Sequence, residues 1–301
     1  MTTHQDHLED ALRKRIEATW AYNTRRTYGS TLRIYERFCT ENGLNPSEVR
    51  SVIAFCEHLA AQGRKYATIE HHVVAIRGRY GVADDLLRLY LRGLRRTLGC
   101  AQTQKAPLLP KHLELIRWDS GRKGLRDKAL ILVGFFGALR RSEVVGLNIE
   151  DVTFAPEGAI LTLRKSKTDQ EGRGREVPIG YAKRPDLCPV RALQAYLNAL
   201  GRTEGPLFVS LHKSQYTQNR LSAQSVALIV KDYADRIGLD PRQFSGLSLR
   251  AGFVTTAALM GASEEEIALQ TGHKSPTAVW CYIRRASLFE RNAMTRIANS
   301  L

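Results

Sequence analysis

Residues 125–145 read LRDKALILVGFFGALRRSEVV, an apolar run that ends in two adjacent arginines and a nearby glutamate. Its apolar part, 129–139, is too short to cross a bilayer, because a membrane helix needs about 20 apolar residues. We therefore predict a buried helix of a globular domain, with Arg140 and Arg141 at its end. An arginine held at such an end is suited to bidentate phosphate recognition; an ordinary surface ion pair with Glu143 is the simpler alternative.

The patterns on either side of this helix predict two domains. Residues 1–103 carry successive amphipathic helical patterns, and no convincing strand pattern occurs before residue 150. A polar, proline-containing stretch predicts a linker over 104–110. Residues 111–301 mix helical patterns with short strand-like stretches around 151–180. The predicted fold is mainly α: an all-helical N-terminal domain, followed by an α+β domain with a small antiparallel sheet.

The charge of the chain indicates a polyanionic partner. The net charge is +15, from 45 Lys and Arg residues against 30 Asp and Glu residues, and the excess is spread over both predicted domains. Such a distribution favours a surface that follows nucleic acid, although a merely basic globular protein is the alternative. The candidate nucleic-acid contacts are six arginines, for each of which a solvated helix face is an equally open interpretation: Arg25, Arg26, Arg33, Arg37, Arg77 and Arg79.

Several classes of protein do not fit the sequence. The five cysteines are scattered, odd in number and never form C-x-x-C, which argues against a disulfide framework and a cysteine-rich zinc site. The P-loop, H-E-x-x-H and calcium-loop motifs are missing, so we predict no cofactor and no metal. The N-terminus lacks the apolar core of a signal peptide. We therefore expect a cytoplasmic, nucleoid-associated protein without a membrane partner.

Four stretches carry the residue types that phosphoryl chemistry without a metal requires: arginines for the phosphate oxygens, a proton donor and a nucleophile. They are GALRRSEVVGL with Arg140 and Glu143, LTLRKSKTDQ with Lys167, SGLSLRAGF with Arg250, and HKSPTAVWCYIRR with His273 and Tyr282. Taken singly, each has a simpler interpretation as a surface ion pair, a solvated lysine, a lone helix arginine, or a packed histidine and tyrosine.

The order of these motifs is more informative than any one of them. R-x-S-E, S-K-T-D, S-L-R-A-G, T-G-H-K-S and Y-I-R follow one another, with His273 23 residues after Arg250 and Tyr282 nine residues after His273. This order and spacing resemble the tyrosine recombinase (phage integrase) family over most of the chain. The C-terminal segment SLFERNAM and the motif S-G-x-S-x-R-x-G look closest to the Cre-like phage and plasmid recombinases of that family.

The resemblance implies an organisation and an activity. Residues 1–103 would form a helical DNA core-binding domain, 104–110 a linker, and 111–301 a catalytic domain with a C-terminal oligomerisation helix. The implied fold is like that of the tyrosine recombinases and type IB topoisomerases. The chain would be a site-specific DNA recombinase that acts on double-stranded DNA with inverted-repeat target sites, as a homo-tetramer on synapsed DNA.

The resemblance also implies a role for each motif residue. Arg140 and Arg250 would grip the non-bridging oxygens of the scissile phosphate, and His273 would hydrogen-bond that phosphate. Lys167 would protonate the departing 5′-oxygen. Tyr282 would attack the phosphorus and leave a 3′-phosphotyrosine and a free 5′-hydroxyl.

One position departs from the family pattern. The family has His-x-x-Arg where this chain has Leu247-Ser248-Leu249-Arg250. The missing histidine helps to accept the proton of the tyrosine, with support from the acid at Glu143. Three interpretations stay open: a natural variant that tolerates the loss, a weakened or evolved sequence, and a catalytically impaired or inactive sequence-specific DNA-binding protein. A topoisomerase IB-like or telomere-resolvase-like strand transferase is a further alternative.

Restoring the histidine tests the departure. We expect Leu247→His to raise the DNA cleavage rate, because general acid–base groups contribute typically ~10²–10⁴-fold to enzymatic rates. Single-turnover cleavage of a nicked duplex by the two proteins measures the change. Equal rates would count against a proton-transfer defect at this position.

Overall fold

The computed structural model describes residues 22–100, 104–164, 174–273 and 293–298. By internal contacts the chain divides into two compact units, residues 1–103 and 104–301. None of the helices in the described ranges is long and apolar enough to cross a membrane.

The first unit is helical throughout its described part. Its helices are α1 (Tyr22–Glu41), α2 (Val49–Ala61), α3 (Tyr66–Tyr80) and α4 (Asp85–Leu98). Their apolar faces form one core that includes Tyr35, Phe55 and Ile69. The predicted helical domain is confirmed over these residues, since each helix buries one apolar stripe and leaves its other face in solvent.

The helix ends of the first unit follow from local chemistry. Asp84 caps α4 by accepting a hydrogen bond from the Leu86 amide, which is otherwise unpaired in the first turn. Gly81 ends α3 in the left-handed conformation, with φ at 66°, where a side chain would be strained.

The second unit combines helices with two small antiparallel sheets. Its elements, in chain order, are α5 (Pro110–Leu115), α6 (Gly121–Phe136), α7 (Arg141–Gly146), β1 (Val152–Ala155), β2 (Gly158–Leu163), β3 (Arg175–Gly180), α8 (Pro189–Leu200), β4 (Val209–His212), β5 (Gln215–Arg220), α9 (Ala223–Arg236), α10 (Leu247–Leu259), α11 (Glu264–Thr271) and α12 (Ala293–Ala298). The mainly α prediction with a small antiparallel sheet is confirmed.

The first sheet has the order β1-β2-β3, and β2 pairs with β3 so that Leu161 lies opposite Val177 and Leu163 opposite Arg175. The second sheet, β4 with β5, was not predicted. Strand β5 reads QYTQNR and is largely exposed, so it lacks the apolar alternation by which a strand is recognised.

Helix α6 is the centre of the second unit. Residues 129–133 have no solvent exposure at all, and α6 packs against α8 and α10. At the crossing with α10, a Cβ on Gly134 would lie 2.8 Å from Cδ1 of Leu249. The glycine therefore permits the close approach that places Arg250 beside the end of α6.

The predicted helix over 125–145 is interrupted in the structure. Helix α6 ends at Phe136, and Ala138 adopts a positive φ of 49° before α7 begins at Arg141. The turn allows Leu139 and Val144, which point from different elements, to be buried together. Arg140 consequently precedes the first residue of a short helix, and the prediction that it ends the apolar helix was wrong.

The stretch predicted as a linker is held against the second unit over part of its length. The Ala106 amide donates to the Gln243 carbonyl at 2.8 Å, and the Leu108 amide donates to the Ser248 carbonyl at 2.9 Å. Leu108 is buried. Its carbonyl oxygen would lie 2.0 Å from a Cβ on Gly252, so this contact requires a glycine in α10.

This contact yields a stability prediction. We expect Gly252→Ala to lower the free energy of unfolding by about 1–3 kcal/mol, because the added methyl group collides with backbone that cannot rotate away. Urea unfolding measures the loss. Gly146→Ala is the matched control, since a Cβ there meets nothing within 4 Å. Equal stability of the two variants would contradict the contact.

Candidate active site

Arg250 is the buried centre of the candidate site. It is the fourth residue of α10 and retains 2% of its exposure. Its Nη1 donates to the Ala138 carbonyl at 2.8 Å, and its Nη2 lies 2.9 Å from His273 Nε2. One guanidinium group therefore joins the turn after α6 to His273, two residues beyond the end of α11. Ala138 and His273 lie 112 and 23 positions from Arg250 in the chain.

His273 is held between Arg250 and Thr271. Thr271 Oγ1 donates to the Ile267 carbonyl at 2.7 Å and lies 2.8 Å from His273 Nδ1. Because its hydroxyl proton is used on the carbonyl, Thr271 accepts from Nδ1–H. Arginine has no acceptor atom, so Nε2 accepts from Arg250. The hydrogen-bond network thus assigns a neutral imidazole that carries its proton on Nδ1.

The electrostatics of the site agree with a neutral histidine. Burial, followed by the positive charges of Arg250, Arg140 and Arg175, lowers the pKa of His273 to about 4. The ordinary histidine pKa is near 6.5, so the imidazole is uncharged at pH 7.

Arg140 is oriented by Glu143. The Glu143 carboxylate accepts from the Arg140 backbone amide at 2.8 Å and from Arg140 Nη1 at 2.6 Å. Its side chain is 1% exposed, whereas the Arg140 side chain is 18% exposed. The carboxylate therefore holds a partly exposed guanidinium in one geometry at the start of α7, as recognition of a phosphate requires.

A further arginine, Arg175, lies in the same cluster and was missed from the sequence. Its Nη1 donates to the Gln270 carbonyl at 2.9 Å, and its Nη2 lies 3.7 Å from Glu143 Oε2. Arg175 begins β3 and shares the inward parity of the buried Val177 and Ile179. An arginine at a core-facing position of a strand was the signal that could have revealed it.

The cluster presents a positive charge. Three guanidinium groups, those of Arg140, Arg175 and Arg250, stand against the single carboxylate of Glu143, a net charge of +2 beside the neutral His273. Positive groups fixed in a partly dehydrated site stabilise the charge that develops on a phosphate during displacement.

Not every predicted site residue is placed by the structure. Lys167 and Tyr282 lie outside the described residues, so the structure places neither of them. Leu247 is the first residue of α10 and is 44% exposed. Within the described ranges, no group of three or more His, Cys, Asp or Glu side chains could hold a metal ion.

The six candidate DNA-contacting arginines are exposed on two helices of the first unit. Arg25, Arg26, Arg33 and Arg37 lie on α1, which buries Tyr35 and Cys39, and Arg77 and Arg79 lie on the last turn of α3.

Comparison with known proteins reveals the relatives of the chain. The family model described as "Phage integrase family" matches residues 111–287. An integrase/recombinase XerD homolog of Selenomonas ruminantium is 36% identical over 311 residues, which cover 98% of this chain and 91% of the relative. Tyrosine recombinase XerA of Pyrococcus furiosus is 27% identical over 275 residues, or 89% of this chain and 87% of the relative.

Solved structures share the fold. The Tn1549 transposon integrase, in complex with circular intermediate DNA, has a TM-score of 0.64 at 16% identity and covers 97% of both chains. A lambda integrase dimer bound to a core site has a TM-score of 0.62 at 16% identity and covers 94% of this chain and 95% of that one.

The chain belongs to the phage integrase family, the enzymes that carry out site-specific recombination of DNA as tyrosine recombinases. The family prediction is thereby confirmed. The named relatives include Xer-type recombinases, and the particular closeness to the Cre-like branch stays a prediction.

The low pKa of His273 predicts a pH dependence of stability. Because the folded pKa lies below the ordinary value, the unfolded chain binds more protons between pH 6.5 and about 4. Stability from His273 is therefore present above pH 6.5 and is lost as the pH falls towards 4. Between pH 6.5 and about 4, we expect the free energy of unfolding to fall less in His273→Gln than in the wild type. Urea unfolding at each pH measures this difference. An identical pH dependence would refute the assignment.

Proposed function

We propose that this chain cuts and rejoins DNA strands through a covalent 3′-phosphotyrosine formed on Tyr282. The observation that carries the proposal is the convergence of Arg140, Arg250 and His273 from three separate segments on one cluster of net positive charge. Both the residue types and their order are those of a tyrosine recombinase, the family to which the chain belongs.

In this mechanism the phosphate is bound by Arg140 and Arg250. The Ala138 carbonyl holds Arg250 and the Glu143 carboxylate holds Arg140, so both guanidinium groups are oriented before the scissile phosphate enters. Donors that are already oriented stabilise the transition state more than mobile ones do, because no reorganisation accompanies the reaction. Removal of one such donor costs about 10²–10³-fold in rate.

The covalent step conserves atoms and charge. A bond forms between Tyr282 Oη and phosphorus while the bond from phosphorus to the 5′-oxygen breaks, and Lys167 protonates that oxygen. Reversal by the 5′-hydroxyl of a second strand rejoins the DNA. Because one ester replaces another, the free energy of the phosphodiester is retained and rejoining needs no high-energy cofactor.

The proton of Tyr282 needs an acceptor, since a tyrosine with an ordinary pKa of ~10 is a poor nucleophile. Leu247 cannot accept it. We propose that His273 does so, because it is neutral at pH 7 and has an acceptor at Nε2. An incoming phosphate competes for the Arg250 guanidinium and adds negative charge, and both effects raise the proton affinity of the imidazole.

Double-stranded DNA with inverted-repeat sites is the proposed substrate, bound by the exposed arginines of α1 and α3 and by the second unit. A homo-tetramer on synapsed DNA is the proposed assembly, with the C-terminal segment docked on a neighbouring copy. The exposure of Met294 and Ile297 on α12, at 55% and 60%, supports this docking. We place the reaction in the cytoplasm, at the nucleoid.

The leucine at position 247 favours a second candidate function. A leucine at this position can neither accept a proton nor hydrogen-bond Glu143, so a sequence-specific DNA-binding protein of the same fold with little or no turnover is the alternative. A covalent protein–DNA adduct separates the two.

Covalent trapping tests the proposal. The protein is mixed with nicked duplexes that bear candidate inverted repeats and is then denatured in detergent. We expect a DNA-linked protein in the wild type and none with Tyr282→Phe, because phenylalanine has no oxygen to form the ester. Arg184→Gln is the control for a substitution outside the cluster, since Arg184 is half-exposed and pairs with Asp186.

Each outcome bears on the proposal. An adduct that is present in the wild type and Arg184→Gln and absent in Tyr282→Phe supports the recombinase. An adduct that persists in Tyr282→Phe would place the nucleophile elsewhere. Tight binding without an adduct in any variant would favour the inactive DNA-binding protein.

A further inference from the structure

Arg175 connects three elements that carry the proposed catalytic residues. It begins β3, two residues after the end of the stretch 165–173 that contains Lys167. Its Nη1 donates to the Gln270 carbonyl at 2.9 Å, in the last turn of α11, and its Nη2 faces Glu143 on α7 at 3.7 Å. The Gln270 side chain continues the connection, since its Nε2 donates to the Phe136 carbonyl at 3.0 Å and to the Pro178 carbonyl at 2.9 Å.

Gly272 leaves room for this connection. It ends α11 at φ 66°, and a Cβ on it would lie 2.8 Å from Arg175 Nε and 3.1 Å from Cδ and Cζ. The Arg175 side chain therefore packs against the backbone of the turn from Thr271 to His273. Glycine is needed at this position for two reasons, the left-handed helix end and the arginine beneath it.

The partners of Arg175 indicate more than packing. Its Nη2 atom is buried and, among the described residues, has no hydrogen-bond partner; it lies 3.7 Å from the Glu143 carboxylate. Leaving a buried donor atom without a hydrogen-bond partner costs free energy. This cost is consistent with a position that uses the charge and the rigid, planar guanidinium group of arginine.

We propose that Arg175 is a positioning residue of the recombination reaction, whose guanidinium fixes the turn that carries His273 against Glu143 and against the strand that follows Lys167. The inference rests on the proposed function, because it assigns Arg175 a role in that reaction. It adds a residue that acts through His273 and Glu143 without touching DNA.

The first measurement is single-turnover cleavage of a nicked duplex by Arg175→Gln and Arg175→Lys. Both variants lose the fork that spans Gln270 and Glu143, so we expect cleavage to slow by about 10²-fold, the effect of a small misplacement of reacting groups. We expect affinity for DNA to fall no more than with Arg184→Gln, which removes the same charge from outside the cluster. Cleavage by Arg175→Gln at the rate of Arg184→Gln would overturn the proposal.

The second measurement distinguishes positioning from general structural support. The protonation of His273 is followed by NMR of the histidine-labelled full chain, with the signal assigned from His273→Gln. The charged groups around the imidazole in the described part of the chain are Arg250 on α10, Arg140 and Glu143 at α7, and Arg175 on β3. We expect no titration above pH 5 in the wild type, since the pKa is lowered to about 4.

The two Arg175 variants separate the effect of the arginine's charge from the effect of its geometry. Arg175→Gln removes a positive charge and should move the His273 midpoint upward, whereas Arg175→Lys keeps the charge and should leave the midpoint low while cleavage still slows. A midpoint that is unchanged in a folded Arg175→Gln protein would overturn the proposal. If Arg175→Gln does not fold, Arg175→Lys decides: cleavage at the wild-type rate then refutes the need for the fork.

Failure of the proposed function has a different signature. In that case the wild type forms no adduct with any duplex, so no cleavage role of Arg175 can hold, whereas the His273 titration still reports whether the charge of Arg175 acts on the imidazole. An adduct in the wild type together with unaffected cleavage by both Arg175 variants rejects the positioning role and leaves the recombinase intact.

Discussion

The buried guanidinium group of Arg250 is the interaction on which the candidate site depends. It donates to the Ala138 carbonyl and to His273 Nε2, and it retains only 2% of its exposure. A buried cation is costly unless it is hydrogen-bonded, so the turn after α6 and the end of α11 must both stay in place around it. Ala138 has a positive φ of 49°, which costs about 1–3 kcal/mol for a non-glycine residue, and its carbonyl is the one that Arg250 requires.

Charge in the site is arranged for an anionic ligand. Arg140, Arg175 and Arg250 exceed Glu143 by two charges, and burial together with these positive charges keeps His273 neutral. A neutral imidazole held between a donor arginine and Thr271 can change its proton affinity when a phosphate arrives. The exposed Leu247 can take no part in such proton transfer, so the proposed mechanism assigns that role to His273.

Elements with strong local signals were predictable, and elements that depend on distant contacts were not. The amphipathic stripes of α1 to α4 and the apolar run of α6 are visible because burial imposes a 3.6-residue period. The break before Arg140 was invisible, since it depends on burying Leu139 and Val144 together. Strand β5 was missed because its residues are polar, and Arg175 because a single arginine in a strand has no periodic signature.

Sequence by itself determined the family, the candidates and the order of the chemical groups, because motif spacing survives in the chain whatever its fold. The sequence also revealed that leucine replaces the expected histidine at position 247. Tertiary structure alone decided which groups meet: the pairing of Arg250 with His273, the neutral tautomer, and the presence of Arg175 beside Glu143. The physical reason is that hydrogen bonds and pKa shifts depend on distance and burial, and both arise from contacts between residues far apart in the chain.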